Sequence, residues 1–368
     1  MGARVMDGGL MDGRPVDGGL VGGEPRFEIR FCAAEGGARI AYATVGDGPP
    51  LIVPPAWISH LELMWQDPAV RAFLVPLAAR RTVVLYDKPG CGLSDPWPSR
   101  QTVDTDVRVL RTVAGHLRQE RFDLLGVSTA GAAALAFAVR HPERVGRLVV
   151  YGGYADGRQV ASPQVREALL GMVRAHWGLG SDVLADIFMA DADADTRRHF
   201  TRLQQGTATA EFACELLEQC YETRVVDVLD RVVTPTLVLH RRGDRAIPYR
   251  LGRDLAARIP GARLMTLPGR GHFPWAGDSA PLVRAVLEYL GEAASPAQWP
   301  VPRSGDDVLT PRQLQVAALV ADGLSNRQIA RRLGIKERSA EGHVERIRQR
   351  LDVRSRAQIA AWWARRDR

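Results

Sequence analysis

One stretch near the middle of the chain, residues 122–131, constrains the fold more than any other. It reads FDLLGVSTAG, and the alanine-rich segment 132–139 follows at once. A short apolar run, small residues around a serine and a helical segment predict a strand, a sharp turn and a helix. The stretch fits the pattern G-x-S-x-G, with Ala130 in place of the last glycine and Ser128 in a strained turn. The alternative is a buried turn serine that only caps the helix.

The positive charge of the chain is concentrated at its C-terminal end. A length of 368 residues predicts two or three domains, and 46 % apolar and 25 % charged residues are ordinary for a globular protein. From Leu309 onward 14 Lys and Arg residues stand against 6 Asp and Glu, whereas the preceding 308 residues have 35 basic and 36 acidic ones. This distribution predicts a short module that binds a polyanion. A merely solvated basic tail is the alternative, against which the apolar periodicity of the module argues.

Shifts of composition divide the chain into four segments. Residues 1–26 are rich in glycine and aspartate and are predicted to be disordered. Residues 27–292 form the larger domain, and residues 308–368 form the small module. Between them, the segment 293–307 contains three prolines and no periodic pattern, which indicates a linker.

The larger domain alternates apolar strands with helical segments. This order predicts an α/β fold with a mostly parallel sheet covered on both faces. Residues 27–31 and 38–44 alternate like a hairpin. The alternation stops at about 155–228, a helical segment with large apolar residues that we interpret as a lid over the site. Ordinary helices packed elsewhere are the alternative.

A catalytic serine needs a base within hydrogen-bond reach, and the base needs an acid that orients it. Asp244 follows a predicted strand in the loop GDRAIP, and His272 follows the next strand in the loop GRGHFP. Loops at the carboxyl ends of strands are where such sheets place their chemistry. The sequence therefore predicts a set formed by Ser128, His272 and Asp244. A degenerate set that is kept for packing is the alternative.

From residue 27 to residue 290 the chain resembles the α/β-hydrolase family, whose fold is a doubly wound, mostly parallel sheet with a helical lid. The resemblance rests on the serine turn, on the two loops above, and on YDKPGCGLSD at 86–95, which is similar to the family's D-x-R-G-x-G-x-S loop. It implies nucleophilic attack by Ser128, proton transfer by His272 and orientation of the histidine by Asp244.

The stretch that would help to hold an oxyanion departs from the family pattern. Many members carry a His-Gly pair after the third strand, whereas this chain has VPPAW at 53–57, and prolines supply no N–H group. The donors would be the N–H of Thr129 and that of Ala56 or Trp57. Loss of one donor costs on the order of 10²–10³ in rate. A slow enzyme and a binding pocket that retains the triad residues both stay open.

The C-terminal module has the pattern of four short helices. Thr310 and Pro311 open the first, in which Leu314, Ala317, Ala318 and Ala321 share a face, and Gly323 ends it. Ser325 caps a second helix, Gly334 permits a tight turn, a third helix spans about 338–351, and Ser355 caps the fourth. Helix, glycine turn and helix is the helix-turn-helix arrangement.

This module is similar to the LuxR-type DNA-binding domain. The matching segments are LTxR at 309–312, GLSNRQIA at 323–330, ExHV at 341–344, IxxRL at 347–351 and VxSR at 353–356. The resemblance implies that the third helix enters the major groove of double-stranded DNA. Glutamates can accept from cytosine amino groups, and basic side chains meet phosphates. The residues expected to contact DNA are Asn326, Lys336, Arg338, Ser339, Glu341, Gly342, Glu345, Arg346 and Arg350.

The cysteine pattern predicts neither a metal site nor another cofactor. Cys32, Cys91, Cys214 and Cys220 show no C-x-x-C pair and no metal-ligand spacing, which is typical of reduced thiols in the cytoplasm. No apolar run approaches the roughly 20 residues that cross a bilayer, and no signal peptide is recognised, so we expect a cytoplasmic protein without a membrane partner. Two adjacent tryptophans near the C-terminus predict a homodimer contact.

The sequence features are consistent with two functions. The first is a transcriptional regulator whose hydrolase-like domain senses, and in one version hydrolyses, a small apolar ligand. The second is an active serine esterase or related hydrolase with an accessory DNA-binding domain. The complete Ser-Asp-His set favours the second, and the altered oxyanion stretch together with the basic module favours the first.

Overall fold

The structure is a computed structural model that describes residues 26–34, 36–96, 100–291, 309, 311–351, 353 and 355–366. The chain divides into two compact units between residues 294 and 295. The predictions for residues 1–25, for the linker at 293–307 and for Thr310 lie outside the described residues.

Within the described part of the larger unit, eight strands form one sheet. Their order across the sheet is β1-β2-β4-β3-β5-β6-β7-β8, and all neighbours are parallel except β1 with β2 and β2 with β4. The predicted hairpin and the predicted mostly parallel sheet are therefore confirmed. The strands are β1 (Glu28–Ala33), β2 (Arg39–Val45), β3 (Pro50–Val53), β4 (Thr82–Tyr86), β5 (Phe122–Val127), β6 (Val145–Tyr151), β7 (Thr236–Arg241) and β8 (Arg263–Leu267).

Helices cover both faces of this sheet, and the strand residues serve two cores in alternation. Leu51 and Leu125 belong to one hydrophobic cluster, whereas Ile52 and Leu124 belong to the cluster on the other face. Successive side chains of a strand point to opposite faces, so a strand buried on both sides is apolar throughout. The flanking helices are α1 (Leu61–Gln66), α2 (Pro68–Ala78), α3 (Val103–His116), α4 (Thr129–Arg140), α9 (Tyr249–Arg258) and α10 (Ala280–Tyr289).

Four further helices occupy the segment for which the sequence predicts a lid. They are α5 (Pro163–Ala175), α6 (Trp177–Phe188), α7 (Ala194–Thr207) and α8 (Ala210–Glu222). Side chains of Ser162, His176, Asp193 and Thr209 accept hydrogen bonds from backbone N–H groups of the first turns, which explains where each helix begins. Their apolar residues join the hydrophobic cluster that contains Leu125 and Val127 of the sheet.

The smaller unit contains four helices among its described residues. They are α11 (Pro311–Ala321), α12 (Asn326–Leu333), α13 (Glu337–Leu351) and α14 (Arg356–Arg366). Ser325 and Gln328 form a capping box at the start of α12, and Gly334 ends it with a φ of 64° in the left-handed region. One cluster that includes Val316, Ile329, Ile347 and Ile359 is the core.

The predicted apolar face of α11 borders the core, with Ala317 inside it and Leu314 packed against it, but the most deeply buried positions are partly different ones. Its fully buried residues are Gln313, Val316, Ala317 and Val320, whereas Leu314, Ala318 and Ala321 are only half-buried. The apolar pattern alone did not show that a glutamine would lie on the inner face.

No helix in the described ranges has both the length and the apolar character that a bilayer crossing would require.

The junction of β5 and α4 generates a prediction about stability. A methyl group on Gly126 would lie 2.7 Å from Gly131 Cα and 3.0 Å from Ala134 Cβ, so Gly126→Ala must push the helix from the strand. We expect it to lower the free energy of unfolding of the larger unit by about 1–3 kcal/mol, measured by chemical denaturation.

The matched control is Gly115→Ala, because a methyl group at Gly115 meets nothing within 4 Å and Gly115 lies in α3. Alanine favours a helix over glycine by up to about 1 kcal/mol, so this variant should be no less stable than the wild type. Equal destabilisation by both substitutions would contradict the tight junction.

Candidate active site and candidate nucleic-acid interface

Ser128 stands in the turn between β5 and α4 in an uncommon backbone conformation. Its φ is 52° and its ψ is −126°, a region that costs a residue other than glycine on the order of 1–3 kcal/mol. The surroundings hold it there, because its N–H donates to the Tyr151 carbonyl at 2.8 Å and its own carbonyl accepts from Gly131 N at 3.0 Å. The turn therefore presents the hydroxyl at the carboxyl end of the sheet.

Three predicted residues meet at this point. His272 Nε2 lies 2.8 Å from Ser128 Oγ, and His272 Nδ1 lies 2.8 Å from Asp244 Oδ2. All three side chains are buried. The geometry suits a neutral imidazole that donates from Nδ1 to the carboxylate and accepts the serine proton at Nε2.

The carboxylate of Asp244 is oriented from both sides. Its Oδ1 accepts from the N–H groups of Ala246 and Ile247, at 2.9 and 3.0 Å. His240, at the end of β7, places Nε2 2.9 Å from the Ile247 carbonyl and 3.5 Å from Asp244 Oδ2. Burial lowers the pKa of His240, which favours a neutral ring that donates to the carbonyl. Sequence reasoning recognised His240 only as the end of a strand.

A buried arginine holds the loop that carries His272. Arg241 is 2 % exposed, and its guanidinium donates to backbone carbonyls of five residues of that loop, at 2.5–3.3 Å. The five are Gly271, Phe273, Pro274, Ala276 and Asp278. Asp191, between α6 and α7, accepts from the N–H groups of Arg270 and Gly271. Sequence reasoning missed both residues, since neither belongs to a motif and their partners are distant in the chain.

Ser128 lines a cavity of about 260 Å³, and residues from the helices of the lid segment form part of its wall. The predicted oxyanion residues Thr129, Ala56 and Trp57 line the same cavity. Thr129 is the first residue of α4, so its N–H belongs to the unsatisfied donors of a helix start. Arg245 is the only Lys, Arg, Asp or Glu among the described lining residues. Lid residues in the wall include Val165, Leu169, Leu184, Ile187, Phe188 and Leu217.

The cysteines show no arrangement for metal binding. Cys32, Cys91, Cys214 and Cys220 are free, and burial raises the pKa of Cys91 to about 12. Cys220 Sγ lies 3.1 Å from Thr129 Oγ1 at the edge of the cavity. In the described ranges no cluster of three His, Cys, Asp or Glu residues could hold a metal ion.

In the smaller unit, one face of α13 and the turn before it present most of the predicted DNA contacts to solvent. Ala340, Val344 and Ile347 face the core. Gly342 is half-buried, and the side chain of Arg350 lies outside the described part. The exposed residues are Lys336, Arg338, Ser339, Glu341, Glu345 and Arg346.

Two of the predicted contacts are engaged within the unit. Asn326 is half-buried, and its Oδ1 accepts from Arg356 Nη1 at 2.8 Å. Glu345 Oε2 accepts from Arg348 Nη1 at 2.9 Å. Asn326 therefore links α12 to α14, a contact that the sequence pattern did not indicate.

Comparisons with known proteins identify both units. The family described as alpha/beta hydrolase fold matches residues 49–275, and the family described as bacterial regulatory proteins, luxR family, matches residues 307–363. Both resemblances seen in the sequence are thereby confirmed.

Among similar proteins, a 2-hydroxy-6-oxononadienedioate/2-hydroxy-6-oxononatrienedioate hydrolase of Cupriavidus pinatubonensis is 31 % identical over 225 residues, which cover 58 % of this chain and 78 % of that protein. The enzyme of the same name, numbered 2, of Pseudomonas putida is 31 % identical over 228 residues with the same coverage. A hydrolase from Pseudomonas aeruginosa PA01 superposes with a TM-score of 0.62 at 25 % identity, covering 72 % of this chain and 98 % of that one. The chain therefore belongs to the alpha/beta hydrolase fold family and ends in a DNA-binding domain of the luxR family of bacterial regulatory proteins.

Proposed function

We propose that the protein is a DNA-binding transcriptional regulator whose α/β-hydrolase domain senses a small apolar ligand in the cavity at Ser128. The observation that carries the proposal is the coexistence, in one chain, of a luxR-family domain and a cavity lined by Ser128 and His272, which form a hydrogen-bonded set with Asp244. A regulator needs a state that depends on the ligand, and the lid helices that line the cavity are the elements that a ligand would contact.

The lining of the cavity indicates the chemistry of the ligand. At about 260 Å³ the cavity is slightly smaller than the usual ligand pockets, which run from roughly 300 to 1,000 Å³. The relatives are named for dienedioate and trienedioate substrates, which carry two carboxylates. Because this cavity has one basic side chain, Arg245, we propose a ligand that is mostly apolar, has a carbonyl group and carries at most one carboxylate.

The 2.8 Å contacts of the triad favour a second candidate function, an active serine esterase or related hydrolase with an accessory DNA-binding domain. In this mechanism Ser128 Oγ attacks the ligand's carbonyl carbon while His272 Nε2 takes the hydroxyl proton, and Asp244 stabilises the resulting imidazolium. The N–H of Thr129 and that of Ala56 or Trp57 would hold the oxyanion. His272 then protonates the leaving group, and water hydrolyses the acyl-enzyme.

The proposal includes a cytoplasmic location and a homodimer. Trp362 and Trp363 on α14 are half-buried against the core of the smaller unit, with ring centroids 6.4 Å apart. Pairing of two copies through this helix would match operators built from two half-sites.

Replacement of Ser128 tests the catalytic part. Ser128→Ala removes the nucleophile and leaves the cavity, so we expect ester hydrolysis to fall by on the order of 10³-fold or more. A fluorophosphonate probe should label the wild type and not the variant. Continued labelling or hydrolysis would show that Ser128 is not the nucleophile.

The same variant separates the two functions when DNA binding is measured with and without ligand. If Ser128→Ala loses hydrolysis but keeps a ligand-dependent change in DNA affinity, occupancy of the cavity is the signal. If DNA affinity never responds to any compound that the cavity binds or hydrolyses, the sensor proposal is wrong. The second function, a hydrolase with an accessory DNA-binding domain, then remains.

Charge removal on α13 tests the DNA interface. Arg346→Ala combined with Arg350→Ala should weaken binding of the full-length protein to a random-sequence duplex. The slope of log K against log salt concentration should decrease by about 0.9 for each lost phosphate contact. Both quantities are measured by fluorescence anisotropy titrations at several salt concentrations.

Arg284→Ala, on the exposed face of α10 in the larger unit, is the control for loss of positive charge. It should leave both the affinity and the slope unchanged. An unaltered slope in the α13 double variant would exclude that helix as the phosphate-binding element.

A further inference from the structure

Trp57 lines two apolar cavities in the larger unit. The cavity at Ser128 has a volume of about 260 Å³, and a second cavity of about 50 Å³ lies beside it. Ala56, Trp57 and Phe273 line both cavities, so they lie where the two cavities adjoin, and we call them the wall. Trp57 is 5 % exposed and has the largest side chain of the three.

The second cavity suits hydrocarbon. Its lining is mostly apolar and aromatic, with Ser59 as a polar member, and comes from the sheet, from α1, α2 and α7, and from the loop after β8. Members of this lining include Leu61, Met64, Phe73, Leu203 and Trp275. Water gains few hydrogen bonds in such surroundings, whereas a methylene chain gains apolar contacts there. The second cavity therefore offers apolar surface next to the cavity at Ser128.

A buried glutamine holds the indole in place. Trp57 Nε1 donates to Gln204 Oε1 at 3.1 Å, and Gln204 Nε2 donates to the Ser181 carbonyl at 3.0 Å. Gln204 lies on α7 and is fully buried, while Ser181 lies on α6. The ring of Phe188, also on α6, meets the indole edge-on at a centroid distance of 5.7 Å. The position of the wall is therefore set by the lid helices.

We propose that Trp57, fixed by Gln204, determines specificity for ligand length. It confines a linear apolar acyl chain to the cavity at Ser128, and displacement of the indole joins the two cavities and admits longer chains. This inference rests on the proposed function, because it takes the cavity at Ser128 as the ligand site. Gln204 acts through Trp57 and is a positioning residue.

Two substitutions weaken the wall to different degrees. Trp57→Ala removes the indole altogether. Gln204→Leu keeps it but leaves its buried N–H without an acceptor, which destabilises the closed position. Each methylene group that then reaches apolar surface should improve binding about fourfold.

The experiment measures kcat/KM of the full-length protein for p-nitrophenyl esters of butanoate, hexanoate, octanoate and decanoate. We expect the wild type to prefer the short esters. In Trp57→Ala and in Gln204→Leu the ratio of octanoate to butanoate should rise on the order of tenfold or more. A ratio is used because Trp57 also belongs to the candidate oxyanion stretch, so absolute rates can fall for another reason.

Gln205→Leu is the matched control. Gln205 is the exposed neighbour of Gln204 on the same helix. Its amide donates to Ser181 Oγ at 2.7 Å, and it makes no hydrogen bond to Trp57 among those described. Its chain-length ratio should equal that of the wild type. If Trp57→Ala does not fold, Gln204→Leu carries the comparison alone.

The outcomes distinguish this inference from the proposed function. An active wild type whose chain-length ratio is unchanged in Trp57→Ala or Gln204→Leu overturns the role of the wall and leaves the proposed function intact. If no ester is hydrolysed, calorimetric binding of butanoic to decanoic acids to the same proteins gives the ratio instead. A wild type that neither hydrolyses nor binds any chain length overturns both.

Discussion

The close approach of β5 and α4 at Ser128 is the constraint on which the larger unit depends. Gly126 and Gly131 leave no room for a side chain between strand and helix, and Ser128 takes a left-handed backbone conformation between them. This local strain is balanced by a sheet buried on both faces. The result is a hydroxyl group held at the carboxyl end of the central strands, where the loops that carry Asp244 and His272 also begin.

Contacts between distant segments place those two loops. Arg241 joins the end of β7 to the carbonyls of the His272 loop, and Asp191 ties the same loop to the lid segment. Backbone N–H groups hold Asp244, and the ring of His240 lies beside its carboxylate. A buried guanidinium surrounded by carbonyl groups is costly to leave unpaired, so this network favours one position of the loop.

Much of the architecture was predictable because its signals are local. Short stretches of sequence specify the alternation of strands and helices, the serine turn, and the loops of Asp244 and His272. The helix-turn-helix motif likewise spans one continuous segment. The short helix α1 and the inner position of Gln313 were not predicted. The bond between Trp57 and Gln204 was not predictable either, because it joins residues 147 positions apart and neither position belongs to a motif.

The sequence by itself determined the two families, the order of the elements and the residue types available for chemistry, because periodicity and turn residues act within a few positions. Only the tertiary structure decided that Ser128 Oγ and His272 Nε2 lie 2.8 Å apart, and that lid helices line an apolar cavity next to them. Only the folded chain brings the indole N–H of Trp57 within hydrogen-bond reach of Gln204 on α7. These features depend on distances between segments that come together when the sheet and its covering helices pack, and no local pattern encodes them.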